Sequence, residues 1–385
     1  MQPDIYAIDI PVKEIKISKT QTCKDSIVFY GIDNLYPTRF EELIYSSETA
    51  KACVDSKANF LSTPFVNPEM EDVIVGKTNT NKDYTMKKFV KDIAKSLATY
   101  NGCYIAVQKN LLNQTAEVSV LDFTKVRFSS FDDLGRSNYA YVSDWAKSVT
   151  GKKNRAVYKY PLFNSNDEVF RHQAEELGTT TQVYHIFFDD KYVYPCNPFE
   201  QCVYDLGTER EIQVNRYEEI TQGTPAKFII RTDFSADATQ RRQQMEQIKE
   251  FAGSKGRRVL AIKTEFDEDG NPRENGYQLD TIEDTRDLSK FNEAEKACAN
   301  NIRKAINIPA ILIDYEGATG GVNVSALQIQ MAVSYFDALV SEEREAISQA
   351  LDEIFKNTSI QFPADKDFTM TEKSIKIEDG NTDVK

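Results

Sequence analysis

The chain has 385 residues, enough for two or three domains, with 60 acidic against 47 basic side chains and a net charge of −13. A protein that grips nucleic-acid phosphates over a broad surface has the opposite sign. Nucleic acid would therefore meet a few local basic groups, or be repelled. His172 and His185 are the two histidines, so a Ser-His-Asp or Cys-His device would have to use one of them.

Met1-Gln2-Pro3-Asp4 lacks the basic start and apolar run of a secretory leader. No stretch reaches the roughly 18 apolar residues of a membrane span. Residues 1 to about 32 read as short strands and turns, and Asp33-Asn34-Leu35-Tyr36-Pro37 is a turn cluster. Helical spacing then runs from Thr38 to about Phe60 (Phe40, Leu43, Ile44, Cys53, Val54, Ala58). A second amphipathic helix covers about Tyr84 to Tyr100, with Met86, Phe89, Ile93 and Leu97 on one face and Asn101-Gly102 as its cap. Strand patterns follow at 103–108, 116–121, 126–131, 139–142, 157–160 and 182–188. Residues 30 to 195 are predicted to form an α+β domain, two helices on one small, mostly antiparallel sheet.

Beyond Pro198 the texture changes. A helical pattern from about Phe199 to Gln222 contains Gly207. Strand 227–232, helix 237–252 and strand 259–264 make a small module. A helix from about Asp284 to Ile306 follows. Then come Pro309, the glycine-rich Asp314–Val322 and a long helical pattern from Asn323 to Phe355, marked by Leu327, Met331, Tyr335, Leu339, Ile347, Leu351, Ile354 and Phe355. Its ~33 residues would span roughly 50 Å. The residues from Pro363 read as a polar tail.

Motifs for chemistry are weak. Cys23, Cys53, Cys103, Cys196, Cys202 and Cys298 form no C-x-x-C pair, and none has a histidine at zinc-ligand spacing, so reduced thiols of a cytoplasmic product are expected. Asp267-Glu268-Asp269-Gly270-Asn271 starts like a calcium loop but lacks the later bidentate Glu, and reads as a hairpin turn. Gly253-Ser254-Lys255-Gly256-Arg257-Arg258 lies between helix and strand, the reverse of a phosphate-binding loop. It reads as a capped helix end, or as a contact for an acidic partner or a nucleic-acid backbone. The carboxylates Glu283, Asp284, Asp287, Glu293, Glu295, Asp314 and Glu316 show no spacing that converges on a metal, and no cofactor is implied.

This order of elements resembles the portal proteins of tailed bacteriophages, of the long-tailed type. The resemblance lies in a strand-helix-strand insert between two helices and in Ile306-Asn307-Ile308-Pro309-Ala310-Ile311-Leu312, an I-x-x-P-x-x-L segment ahead of a flexible loop and a long helix. It implies an α/β wing (1–198), a first stem helix (199–223), a clip (224–281), a second stem helix (282–308), a tunnel loop (309–322), a long wing helix (323–357) and a short tail (358–385). Any crown domain would be small or absent. It also implies a dodecameric ring at one capsid vertex, through which double-stranded DNA enters and leaves. The implied partners are the major capsid protein, the terminase large subunit and a head-tail adaptor or neck protein. Such a virion component, made in the host bacterial cytoplasm, has no catalysis of its own. Within it, Asp314, Tyr315, Glu316, Gly317, Thr319, Gly320, Gly321 and Asn323 would sit in the tunnel loop. Lys255, Arg257 and Arg258 would be clip contacts, and Glu283, Asp284, Asp287 and Glu293 would line the channel. An acidic bore suits DNA that must slide, because it repels phosphate. A non-portal capsid adaptor and a metal-dependent phosphodiesterase are the alternatives.

Overall fold

The computed structural model describes residues 23–24, 26–146, 156–188, 193–222, 227–231, 239, 243, 278–282, 288–313 and 325–374. The chain divides into two compact units, Lys16–Arg210 with Glu295–Lys385, and Met1–Ile15 with Glu211–Ala294.

In the larger unit, strands β1 (Cys23–Lys24) and β2 (Ile27–Val28) pair ahead of helices α1 (Tyr36–Ser46) and α2 (Glu48–Leu61). The single helix expected from Thr38 is thus two. Ser47 is extended (φ −104°, ψ 122°), and its side chain accepts the Ala50 N–H at 3.0 Å, capping α2. Strands β3 (Ile74–Lys77) and β4 (Asp83–Thr85) form a hairpin that leads into α3 (Met86–Tyr100). The buried face of α3 carries Met86, Phe89, Ile93 and Leu97, as its periodicity predicts, and Asn101 ends it in the left-handed region at φ 56°. Gly102 then enters β5 (Gly102–Lys109) where a Cβ would lie 2.8 Å from both Phe123 and Pro195, so the chain needs glycine there.

The strands divide between two three-stranded antiparallel sheets rather than one. In the first, β5 lies between β6 (Thr115–Val120) and β10 (Thr181–Phe187), with Ile105 opposite both Val120 and Tyr184. In the second, β8 (Tyr139–Val142) lies between β7 (Val126–Phe128) and β9 (Tyr158–Pro161). Helix α4 (Asp167–Leu177) precedes β10; its start is capped by Asn166, and Gly178 ends it in the left-handed region. Rings of Tyr36, Tyr30, Tyr194 and Phe128 stack in a column, with successive centroids 4.7, 4.4 and 5.6 Å apart. Beside it the fully buried Arg127 donates to the Asn34 carbonyl at 2.7 Å and to the Thr124 carbonyl at 3.0 Å. Its guanidinium lies 5.6 Å from the ring of Trp145, whose Nε1–H donates to the Lys125 carbonyl at 2.8 Å.

The long helix α7 (Ala326–Phe355) has 30 residues, about 45 Å. Val333, Phe336, Val340, Ile347, Leu351, Ile354 and Phe355 face the core shared with α2, α3 and β5, and Phe60 meets Phe336 edge-on at 4.9 Å. The residues after α7 are not a simple polar tail. Thr115 donates its N–H to the Asn357 carbonyl at 2.8 Å, and Ser359 donates to the Thr115 carbonyl at 3.0 Å. Phe362 and Phe368 pack on Phe355, and Val66 N–H bonds the Thr369 carbonyl at 2.9 Å. Phe368 and Met370 are buried, so this segment completes the core.

The smaller unit contains strands β11 (Lys227–Arg231) and β12 (Gln278–Ile282), which pair antiparallel with Ile229 opposite Asp280. The strand expected at 259–264 lies outside the described residues. Helices α5 (Val203–Gln222) and α6 (Leu288–Ala305) each contribute residues to both units. Gly207 sits inside α5 without breaking it.

Candidate functional site

The site is the pair of anchors that bracket residues 314–324. The first is the end of α6. Asn307 takes the left-handed conformation (φ 55°), its N–H bonding the Lys304 carbonyl at 3.2 Å, and Ile308 N–H bonds the Arg303 carbonyl at 3.1 Å. Such a cap satisfies the last carbonyls of a helix. Ile308 is buried, Pro309 is extended, and Ala310–Leu312 make one 3-10 turn. Ile306, Leu312 and Ile313 pack against the core. Asn301 Nδ2 donates to Asp205 at 3.1 Å, tying α6 to α5 within the larger unit.

The second anchor is the start of α7. Ser325 Oγ accepts the Gln328 N–H at 3.2 Å, and Gln328 Oε1 accepts the Ser325 N–H at 3.1 Å. This reciprocal capping box satisfies two donors that a helix start otherwise leaves open. Ile329 of the first turn packs on the same core as Leu312 and Ile313. Both ends of 314–324 are therefore fixed in one packed unit.

The expected tunnel-loop residues Asp314, Tyr315, Glu316, Gly317, Thr319, Gly320, Gly321 and Asn323 lie outside the described residues. So do the clip residues Lys255, Arg257 and Arg258 and the acidic Glu283, Asp284 and Asp287. Glu293 is described, and it is exposed on α6.

A cleft of about 700 Å³ adjoins the first anchor, lined by Lys57, Glu200, Ile306, Phe336, Leu339 and Glu343, among others. Lys57 Nζ donates to Glu343 across it at 2.9 Å. Four of the eight apolar positions that mark the helical pattern of α7 lie off its buried face. Leu327, Met331, Tyr335 and Leu339 are exposed, while Val333, Phe336 and Val340 are buried. The reason is geometric: residues four apart advance by about 40° around a helix of 3.6 residues per turn. The whole series from Leu327 to Phe355 is spaced by fours, so it winds around the helix and comes onto the buried face at Ile347, Leu351 and Phe355.

His172 lies on the open face of α4, with Nδ1 4.0 Å from Glu176. The ring of His185 meets Phe128 and Phe187 at 5.4 and 5.0 Å. Burial pushes the thiols of Cys53, Cys103 and Cys202 up to about 12, so they hold their protons at neutral pH. Among the described residues, no cluster of His, Cys, Asp or Glu could hold a metal ion, and no helix is long and apolar enough to cross a membrane.

No protein-family model and no curated protein matches the chain. Solved structures do. A chain from the neck of a native gene transfer agent particle, computed with C12 symmetry, is similar over 83% of this chain and 81% of that one, at TM-score 0.51 and 13% identity. A chain from the neck of the empty particle, computed with C6 symmetry, is similar at TM-score 0.50 and 11% identity, covering 84% and 81%. A weaker likeness links it to an HK97-family phage portal protein from Corynebacterium diphtheriae, at TM-score 0.45 and 11% identity over 82% and 90% of the two chains. The class is therefore an α+β fold shared with chains from the necks of gene transfer agent particles.

Proposed function

We propose that this chain is a phage portal protein. Twelve copies would form a ring at one capsid vertex, through which double-stranded DNA is packaged and ejected. It would contact the major capsid protein, dock the terminase large subunit and later receive a head-tail adaptor or neck protein. It performs no chemistry of its own. The observation that carries this reading is the pair of anchors. One helix ends in a Pro309 turn, a capped 30-residue helix begins at Ser325, and both belong to one core. That arrangement fixes the two residues that bracket 314–324, Ile313 and Ser325, on one packed unit. The fold shared with neck chains supports the same reading, and the C12 symmetry of one neck structure supports the number twelve. In this role the −13 charge of each copy disfavours adhesion of DNA to the bore.

Electron cryo-microscopy of the purified full chain tests this. Rings around a hole wide enough for duplex DNA are expected, with 314–324 at the constriction. A closed assembly with no such hole overturns the conduit and favours a capsid adaptor.

A further inference from the structure

We propose that Lys109 and Asn113 are the partners of an isopeptide bond that the folded chain forms by itself, with Asp167 moving the proton. Lys109 ends β5 and Asn113 lies in the turn to β6, and both are buried, 5 and 6% exposed. Lys109 Nζ donates to Asn113 Oδ1 at 2.8 Å. A carbonyl bond is about 1.23 Å, so the amine is at most about 4 Å from the Asn113 carbonyl carbon, close to the separation from which two groups react. The amide is held in this orientation. Its Nδ2 donates to Asp167 Oδ1 and to the Ser165 carbonyl at 3.3 Å, so the oxygen is the end that faces the amine. The Asn113 backbone is in the left-handed region at φ 59°, with its N–H on the Asn110 carbonyl at 3.0 Å. Lys109 Nζ also donates to the Asn164 carbonyl at 3.0 Å, and the rings of Phe163 and Phe170 lie 4.4 and 5.3 Å from it.

An exposed lysine is an ammonium at neutral pH and has no lone pair to attack with. Burial lowers the pKa of Lys109 to about 8, partly opposed by Asp167, so some molecules carry the neutral amine. Asp167, at the start of α4, is the charged group whose field acts on it. The preceding segment presents Phe163, Asn164 and Ser165, α4 adds Phe170, and none of these titrates. In the reaction the lone pair of Nζ adds to Asn113 Cγ, and the carbonyl pair moves onto Oδ1. Both nitrogens are then on one carbon, within reach of the carboxylate that already accepts from Nδ2. Asp167 takes a proton from Nζ and returns it to Nδ2. The Cγ–Nδ2 bond breaks, the carbonyl forms again and ammonia leaves. One amine and one primary amide give one secondary amide and one ammonia, with no co-reactant. The product staples the β5–β6 turn across Leu111 and Leu112, which are 82 and 73% exposed. Exposed hairpin tips are places where proteases cut, and the staple closes this one.

The test is mass spectrometry of the purified full chain, intact and after trypsin, during incubation at pH 7 and pH 9. The expected product has lost one ammonia per chain. Trypsin then fails to cut after Lys109 and yields 96–125 as one peptide lacking ammonia, in place of 96–109 and 110–125. The neutral amine increases about tenfold between the two pH values, and the rate should increase with it. Lys109→Arg should keep its ammonia. Asp167→Asn, at an exposed position, should slow the loss by about 100-fold or more. Circular dichroism checks that the variants are folded, and if Lys109→Arg is not, Asp167→Asn alone decides. Wild type that keeps its ammonia at pH 9 overturns the inference. So does ammonia loss with trypsin still cutting after Lys109, which is cyclisation of Asn113 onto its own backbone. An undiminished rate in Asp167→Asn overturns it as well. The portal reading stands or falls independently of these outcomes. Unlinked chain retains the titrating amine of Lys109, and linked chain does not.

Discussion

Arg344 donates to Asp337 at 2.5 Å from two turns further along α7, and both side chains are buried. The same carboxylate accepts the Lys373 N–H at 3.0 Å, and Arg344 also donates to the Thr371 carbonyl at 2.9 Å. One ion pair thus fastens the segment after α7 onto the helix. Removing one partner strands a buried charge, which costs roughly 3–5 kcal/mol. Asp337→Ala is expected to lose about that much in urea unfolding. Asp337→Leu/Arg344→Met, which removes both charges, should lose less than the single variant. Equal losses would mean that the charge contributes nothing beyond packing.

Lys109 predicts a pH dependence. Its ammonium is buried against Phe163 and Phe170, and it donates to Asn113 at 2.8 Å and to the Asn164 carbonyl at 3.0 Å. Burial lowers its pKa to about 8, partly opposed by Asp167. The unfolded side chain titrates at about 10.4. Between these values the unfolded state binds more protons, so stability rises with pH from about 8 to about 10 and is lower below that window. The difference amounts to at most about 3 kcal/mol. Comparing unfolding of wild type and Lys109→Met at pH 7 and pH 10 isolates it. The wild type should gain on the variant as pH rises, and parallel curves would refute the assignment.

Glu209 of α5 is buried at the start of α2. It accepts from the Ser47 hydroxyl and from the Thr49 hydroxyl at 2.6 Å. A carboxylate is favoured at a helix N-terminus. Glu209→Ala leaves both hydroxyls without that acceptor and is expected to cost about 1–3 kcal/mol. Glu209→Gln should cost less, as measured by thermal unfolding.

Ser325→Ala removes the cap of α7. The expected loss is about 1 kcal/mol, confined to the first turn. Hydrogen exchange should quicken at residues 326–329 and stay unchanged at 347–355. Uniform acceleration would show that the cap supports the whole helix.

Local signals were legible in the sequence. The stripe of α3, its Asn101-Gly102 end and the strands around Gly102–Lys109 all appear where periodicity and turn chemistry place them. Helix α4 escaped notice because Phe170 is its one buried side chain, which leaves no apolar period to count. The signals available there were the Asn166 cap and Gly178. The break at Ser47 was hidden because the apolar spacing continues across it. What could not be read was tertiary: Phe368 folded back onto Phe355, or Thr369 bonded to Val66, most of the chain apart. At the site, the Ser325 and Gln328 pair of the capping box stands in plain sequence, as does Pro309. Which face of α7 is covered depends on the winding of residues spaced by fours, and that needs the packed helix.

Trp145 gives the molecule a built-in optical probe. It is the one tryptophan of the chain, buried with its indole N–H on the Lys125 carbonyl and the Arg127 guanidinium nearby. Its emission therefore reports on a single place, beside Lys125 and Arg127 where β7 begins. In the proposed ring, loss of that signal can be timed against dissociation, so that unfolding of a copy is distinguished from its departure.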